Sequence, residues 1–173
     1  MTWLLTHSGR HIDLIDPQPD MIRIEDIIKG LSRESRFAGQ TKYYYTVAQH
    51  SVVASRIVDQ QFALEALLHD ASEAYIKDIP RPLKQLLPDY RRIEDKLQAV
   101  IRTRFGLPES QSDQVTSADR TMLATERRDL MPDDDTDWPI LTGVRPMDAK
   151  LIAINSNRAE LLFYQRFMEI IQQ

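Results

Sequence analysis

Phe62-Ala63-Leu64-Glu65-Ala66-Leu67-Leu68-His69-Asp70-Ala71-Ser72-Glu73, continuing through Ala74-Tyr75-Ile76-Lys77-Asp78-Ile79-Pro80-Arg81-Pro82, decides how this chain is read. The first part is apolar nearly all round, which marks a helix from about Asp59 to Ala74 as the central helix of an all-helical protein. Pro80 forbids its continuation. The second part crowds an imidazole and several carboxylates onto the end of that core helix. A buried charge without a partner is costly, and a bound cation is one of the few partners that holds histidine and carboxylate together.

Working outward, Thr46-Val47-Ala48-Gln49 has the spacing of a capping box, so a helix begins there with Val47, His50, Ala54 and Ile57 on one face. His50 is thereby directed inward. On the other side, Tyr90, Ile93, Leu97, Val100, Ile101 and Phe105 form an amphipathic stripe that stops at Gly106-Leu107-Pro108. The next helix, about Ser112 to Leu130, sets Asp119 among the core residues Val115, Ala118, Met122 and Leu123. A terminal helix from about Met147 to Ile171 closes the bundle, its apolar face formed by Leu151, Ile154, Leu161, Leu162 and Met168.

The N-terminal region is different in kind. Trp3 to Thr6 and His11 to Asp16 alternate around the polar turn His7-Ser8-Gly9-Arg10, as a small β-hairpin does. Pro17 and Pro19 interrupt the chain, and Ile24, Ile27, Ile28 and Leu31 recur at helical spacing to about Ser35. Residues 36–45 form a loop whose Arg36, Phe37, Lys42 and tyrosines either line a pocket or make a polar connection. Residues 132–146 form an acidic loop, read as a lid, an interface segment or a solvated connection. The whole is one domain over residues 1–173, with hairpin and linker over 1–20 and the helical bundle over 21–173.

At 173 residues, with 42% hydrophobic and 28% charged side chains, the chain can bury a sizeable core and is not of disordered composition. A net charge of −4 with scattered cations argues against a nucleic-acid polymer as partner. Cysteine is absent, so thiolate metal sites and cysteine nucleophiles are excluded and any metal takes histidine and carboxylate. Residues Met1 to His7 carry no basic leader, and no run approaches membrane-spanning length. A cytoplasmic protein without membrane association is expected.

Three helices thus direct ionisable groups inward: His50, the pair His69-Asp70, and Asp119. Such a set suits one borderline divalent cation, Mn, Fe, Co, Ni or Zn, with Mg less favoured by imidazole. Glu73, four residues after His69 and three after Asp70, can face the same space as a general acid or base, or else pair with Lys77 at the surface. Asp78 caps the following turn or joins Glu73. Arg36, Arg81, Lys84 and Arg120 are the cations available to clamp an anion. His7 and His11 flank the hairpin turn as surface residues.

The order His50, His69-Asp70, Asp119 resembles the H…HD…D signature of the HD-domain metal-dependent phosphohydrolases. The longer string His69-Asp70-Ala71-Ser72-Glu73 with Asp78-Ile79-Pro80-Arg81-Pro82-Leu83-Lys84 resembles the branch containing bacterial 5'-deoxynucleotidases and phage dATP triphosphohydrolases. The resemblance covers most of residues 31–130 and implies an HD-type helical bundle. It implies that His50, His69, Asp70 and Asp119 are metal ligands, that Glu73 and Asp78 are catalytic carboxylates, and that Lys84 and Arg36 lie near phosphate. The Arg-Trp pair of family members is Arg36-Phe37 here, at a slightly different spacing to His50. A deoxynucleoside 5'-monophosphate hydrolase is the expectation; the alternatives are a triphosphohydrolase releasing tripolyphosphate and a nucleotide-sensing module without turnover. Relatives commonly form dimers or larger assemblies, so a homo-oligomer is expected, and the face of Phe163, Tyr164 and Phe167 serves either an interface or only the core.

Overall fold

In the computed structural model, which describes residues 2–172, helices dominate and a small antiparallel hairpin precedes them. Strands β1 (Trp3–Leu5) and β2 (His11–Asp13) pair with Leu4 opposite Ile12. Gly9 takes a positive φ of 76° in the turn, where a side chain would be strained. Ile12 points into the core, and Asp26 fastens the turn by accepting from the Ser8 backbone N–H at 2.7 Å and its hydroxyl at 2.8 Å. The hairpin is therefore docked on helix α1 (Ile24–Leu31), whose first turn carries Asp26.

Helix α1 stops short of Ser35. Residues 32–33 turn the chain, after which Ser35 bridges Thr46, the Val47 N–H donates to the Glu34 carbonyl and the Arg36 N–H to the Tyr45 carbonyl, both at 3.0 Å, so residues 34–36 enter a pairing that competes with helix. Helix α2 (Val47–Ala54) begins at Thr46, whose hydroxyl accepts from the Gln49 N–H at 3.1 Å. Only half of the expected capping box forms. The Gln49 side chain donates to the Ile152 carbonyl and accepts from the Ile154 N–H, strapping a distant segment to α2.

The single central helix expected over Asp59 to Ala74 is broken. Helix α3 spans Ala63–Leu68, residues 69–72 form tight turns, and α4 (Glu73–Ile76) resumes. An apolar pattern continuous through a bend cannot register it, because Leu68, Ala71 and Tyr75 remain buried on both sides. Helix α5 (Arg81–Lys84) follows the Ile79-Pro80 exit, then α6 (Pro88–Arg104) and α7 (Asp113–Leu130), close to the expected bounds. Ser112 caps α7 by accepting from the Val115 N–H at 3.3 Å.

The terminal helix is shorter than expected. Helix α8 begins at Ser156 and runs to Ile171, capped by the Asn155 side chain at 2.9 Å from the Arg158 N–H. Residues 147–154 are not helical, since Gln49, and Asp129 accepting from the Leu151 N–H at 2.7 Å, satisfy their backbone from outside. The face α8 buries is accordingly Ala159, Phe163 and Phe167, while Leu161 and Tyr164 are exposed.

Around one core pack Ile12, Ile27, Leu31, Val47, Leu67, Leu68, Leu97, Ile101 and Phe163. Each such side chain contributes about 1.5–3 kcal/mol on leaving water. A second cluster, Tyr45, Ala54, Met122, Leu130 and Leu151, sits between α2, α7 and the 147–154 segment. At Gly30 the backbones of α1 and α4 nearly touch: a Cβ there would lie 2.5 Å from the Ala74 carbonyl oxygen. Among the described residues, no helix is long and apolar enough to cross a membrane.

Candidate metal centre

Helices α2 and α7 and the end of α3 meet where the second cluster adjoins the main core. Each directs a donor to one point. His50 Nε2, His69 Nε2 and one carboxylate oxygen of Asp119 all lie within 4.8 Å of one another, and the group can hold a metal ion. His50 Nε2 stands 3.2 Å from His69 Nε2 and 3.3 Å from Asp119 Oδ1. Asp70 Oδ2 joins them at 3.2 Å from His69 Nε2 and 3.6 Å from His50 Nε2.

The turn that breaks the central helix explains why adjacent residues serve one point. In a continuing helix His69 and Asp70 would diverge by about 100°. Folded into turns, with the Glu73 N–H bonded to the Asp70 carbonyl at 3.0 Å, both side chains reach the same space. His50 and His69 are buried, Asp70 is half-buried, and Asp119 is the open side, its side chain 41% accessible.

The donors fit a cation on their own chemistry. The Nδ1 of His69 faces the Ala66 carbonyl at 2.8 Å, and the Nδ1 of His50 faces the Glu126 carboxylate at 2.6 Å. Both acceptors require an N–H at Nδ1, which leaves the two Nε2 atoms, facing each other and two carboxylates, as the ring nitrogens able to bind a cation in place of a proton. Metal–ligand bonds of about 2.1 Å put neighbouring donors about 3.0–3.4 Å apart in tetrahedral or octahedral shells, near the separations found.

Charge demand points the same way. Burial opposes protonation of His69, but Asp70 and Asp119 outweigh it and hold its pKa well above the ordinary imidazole value. His50 is raised as well: burial and Arg36 oppose, and Glu126 and Asp119 prevail. Burial pushes Asp119 up, yet its hydrogen bonds to both imidazoles hold it well below the usual carboxylate range. Asp70 is likewise lowered against burial, chiefly by His69.

Glu73, in the first turn of α4, is buried and its Oε2 has no hydrogen-bond partner. Burial, then the neighbouring charges of Asp70 and Asp78, raise its pKa well above the ordinary value. Lys84 Nζ approaches Glu73 Oε1 at 3.8 Å while bonding Glu94 at 2.6 Å. Lys77, in contrast, pairs with Glu34 at 2.5 Å rather than with Glu73. Its backbone is held at φ 81° and ψ 153°, a region that favours glycine, immediately before Asp78. Burial raises the Asp78 carboxyl, with Arg36 acting against it and Asp70 with it.

Arg36 lies beneath the donors, its guanidinium bridging Asp70 at 3.3 Å and Glu126 at 3.2 Å. Phe37 is half-buried at φ 55°, with its ring 6.4 Å from that of Trp138 on the acidic loop. Trp138 in turn lies under the Arg127 guanidinium at 5.0 Å. Arg81 is exposed, and so is Arg120, which lines a surface hollow of about 540 Å³ with Thr116, Thr121 and Arg145. The sequence marks Tyr45 only as one of the loop tyrosines and gives Glu126 no role. Glu126 is seven residues beyond Asp119, two turns along the same face of α7, and that interval was the available signal.

No model of a known protein family matches the chain. It is 47% identical over 171 residues to the uncharacterized protein YfdR of Escherichia coli (strain K12), covering 98% of this chain and 96% of that one. It is 40% identical over 116 residues to the uncharacterized protein RCAP_rcc00048 of Rhodobacter capsulatus, covering 61% of this chain and 59% of the relative.

Proposed function

The chain belongs to the family of the Escherichia coli protein YfdR, and we propose that it is an HD-type metal-dependent phosphohydrolase acting on deoxynucleoside 5'-monophosphates. The observation carrying this reading is the convergence of His50, His69, Asp70 and Asp119 on one point, with the unpartnered Glu73 Oε2 on the adjoining helix. His50, His69, Asp70 and Asp119 would hold one divalent ion of the Mn, Fe, Co, Ni or Zn class. Bound there, the ion supplies Lewis-acid activation of a phosphate ester and of water.

The chain's own groups do the rest. Glu73, whose pKa burial and the charges of Asp70 and Asp78 raise well above the ordinary value, is suited to carry a proton from the attacking water on its unpartnered Oε2. Asp78 is the second carboxyl suited to proton transfer, toward the departing 5' oxygen. Lys84, close to Glu73, supports negative charge developing on the phosphoryl oxygens. Phosphorus gains the water oxygen and loses the nucleoside oxygen, giving nucleoside and inorganic phosphate.

A monophosphate is favoured over a triphosphate because Arg36 is already bridged between Asp70 and Glu126. Lys84, the cation beside Glu73, is itself paired with Glu94 at 2.6 Å, which leaves few charges for a tripolyphosphate tail. The test is chromatographic product analysis after incubation of the metal-stripped and reloaded protein with each deoxynucleoside mono- and triphosphate. Nucleoside plus phosphate from monophosphates supports the reading. Intact tripolyphosphate moves the substrate to triphosphates, and absence of turnover with every metal removes the hydrolase reading for these substrates.

A further inference from the structure

Beneath the donors lies a buried polar assembly that the proposed hydrolysis does not use. Glu126 is fully buried, yet it accepts three hydrogen bonds: from His50 Nδ1 at 2.6 Å, from the Tyr45 hydroxyl at 2.9 Å and from Arg36 Nη2 at 3.2 Å. We propose that Glu126 is the positioning residue of the centre, holding the His50 Nδ1–H so that the Nε2 lone pair is presented to the divalent ion. The inference rests on the reading of the four donors as a metal site.

The two imidazoles reach the same tautomer by different means. His69 is held by the backbone carbonyl of Ala66, three residues back on its own helix, an acceptor that no side-chain substitution removes. His50 has no such local acceptor and depends on a side chain 76 residues away. An ionised carboxylate only accepts, so it admits only the Nδ1–H form of His50. Carboxylate partners of metal-bound histidines fix ring orientation and raise ligand basicity in this way.

Arg36 completes the arrangement. Its guanidinium supplies the opposite charge that a fully buried Glu126 needs and also reaches Asp70 Oδ2 at 3.3 Å. One cation thus ties the carboxylate behind His50 to the carboxylate beside His69. Tyr45 provides the control, because its hydroxyl bonds the same Oε1 atom that His50 faces without touching the imidazole-to-centre geometry.

The experiment is Co(II) titration of the stripped full chain, following affinity and the visible absorption of the bound ion, for the native sequence, Glu126→Gln and Tyr45→Phe. A glutamine amide can donate to Nδ1 and drive the proton onto Nε2, so Glu126→Gln weakens Co(II) by about 10–100-fold and shifts the absorption bands. Tyr45→Phe lowers the thermal midpoint but leaves Co(II) affinity and spectrum unchanged. Native affinity and spectrum in Glu126→Gln overturn the inference alone, as does an equal loss in Tyr45→Phe. A native protein that binds no Co(II) overturns the metal reading and this inference with it. Nitrogen-15 NMR of the Zn-loaded native protein decides the matter even if Glu126→Gln does not fold. A His50 protonated at Nδ1 and ligated through Nε2 is expected, and ligation through Nδ1 overturns the inference.

Discussion

The two walls of the centre differ in construction. On one side His50, His69 and Asp119 come from α2, the end of α3 and α7, with Glu126 and the Ala66 carbonyl fixing the imidazoles from behind. On the other side Glu73, Asp78 and Lys84 sit on or between the single-turn helices α4 and α5, with an unpartnered Glu73 oxygen and a strained Lys77. Rigid packed elements suit groups that must hold a geometry. Short elements with unmet polar atoms suit the proton exchange and substrate contact proposed above for Glu73, Asp78 and Lys84.

The contrast can be broken at several points. Asp70→Ala takes a donor from the turn that joins the two walls and one partner from Arg36, so metal binding and turnover are both expected to vanish while far-ultraviolet circular dichroism keeps its helical form. Full activity of the metal-loaded variant would remove Asp70 from the site. Glu73→Gln acts on the other wall: turnover falls by about 10²–10⁴-fold while metal content by mass spectrometry stays at the native value. Loss of metal in that variant would mean that the two walls are not separable.

Stability separates them further. Gly30→Ala forces a methyl against the Ala74 backbone and is expected to cost about 1–3 kcal/mol in urea unfolding, as overpacking does. A neutral result would show that α4 yields freely to α1. Lys77→Gly relieves the positive φ of 81° and gives up an ion pair whose lysine is mostly exposed, for a net gain of about 1 kcal/mol. A loss would mean that the Lys77–Glu34 pair, not the backbone, sets the position of Asp78.

The smallest expected effect is a pH slope. Glu73 titrates near 4.5 when unfolded and well above that when buried. Its contribution to stability is therefore complete below 4.5 and lost as pH rises through the raised value. Metal-free native protein should lose stability relative to Glu73→Gln over that interval, read from unfolding midpoints at successive pH values. Parallel curves would return Glu73 to an ordinary environment.

The donors were legible because residue type and helical phase suffice to place His50 and Asp119 on inward faces, and a His-Asp doublet at the end of an apolar run stands out. The break at residues 69–72 was not, because hydrophobic periodicity reports burial and both sides of the bend are buried. Residues 147–154 carry apolar spacing that suits a helix, but Gln49 and Asp129 pair with their backbone from far away in the chain. Arg36 read as a cation for substrate, and its pairing with Asp70 and Glu126 depends on contacts across 34 and 90 residues. Long-range polar partners leave no periodic trace; the interval from Asp119 to Glu126 did leave one.

Helix α8 packs against α1, α2 and α3, and Phe163 and Phe167 belong to the main core. The helix bearing His50 is backed by residues translated more than a hundred codons after it. In chain order His50, His69 and Asp119 all precede the α8 surface that seats α2. A chain that stops before Ser156 would carry His50, His69 and Asp119 without the α8 surface against which α2 packs.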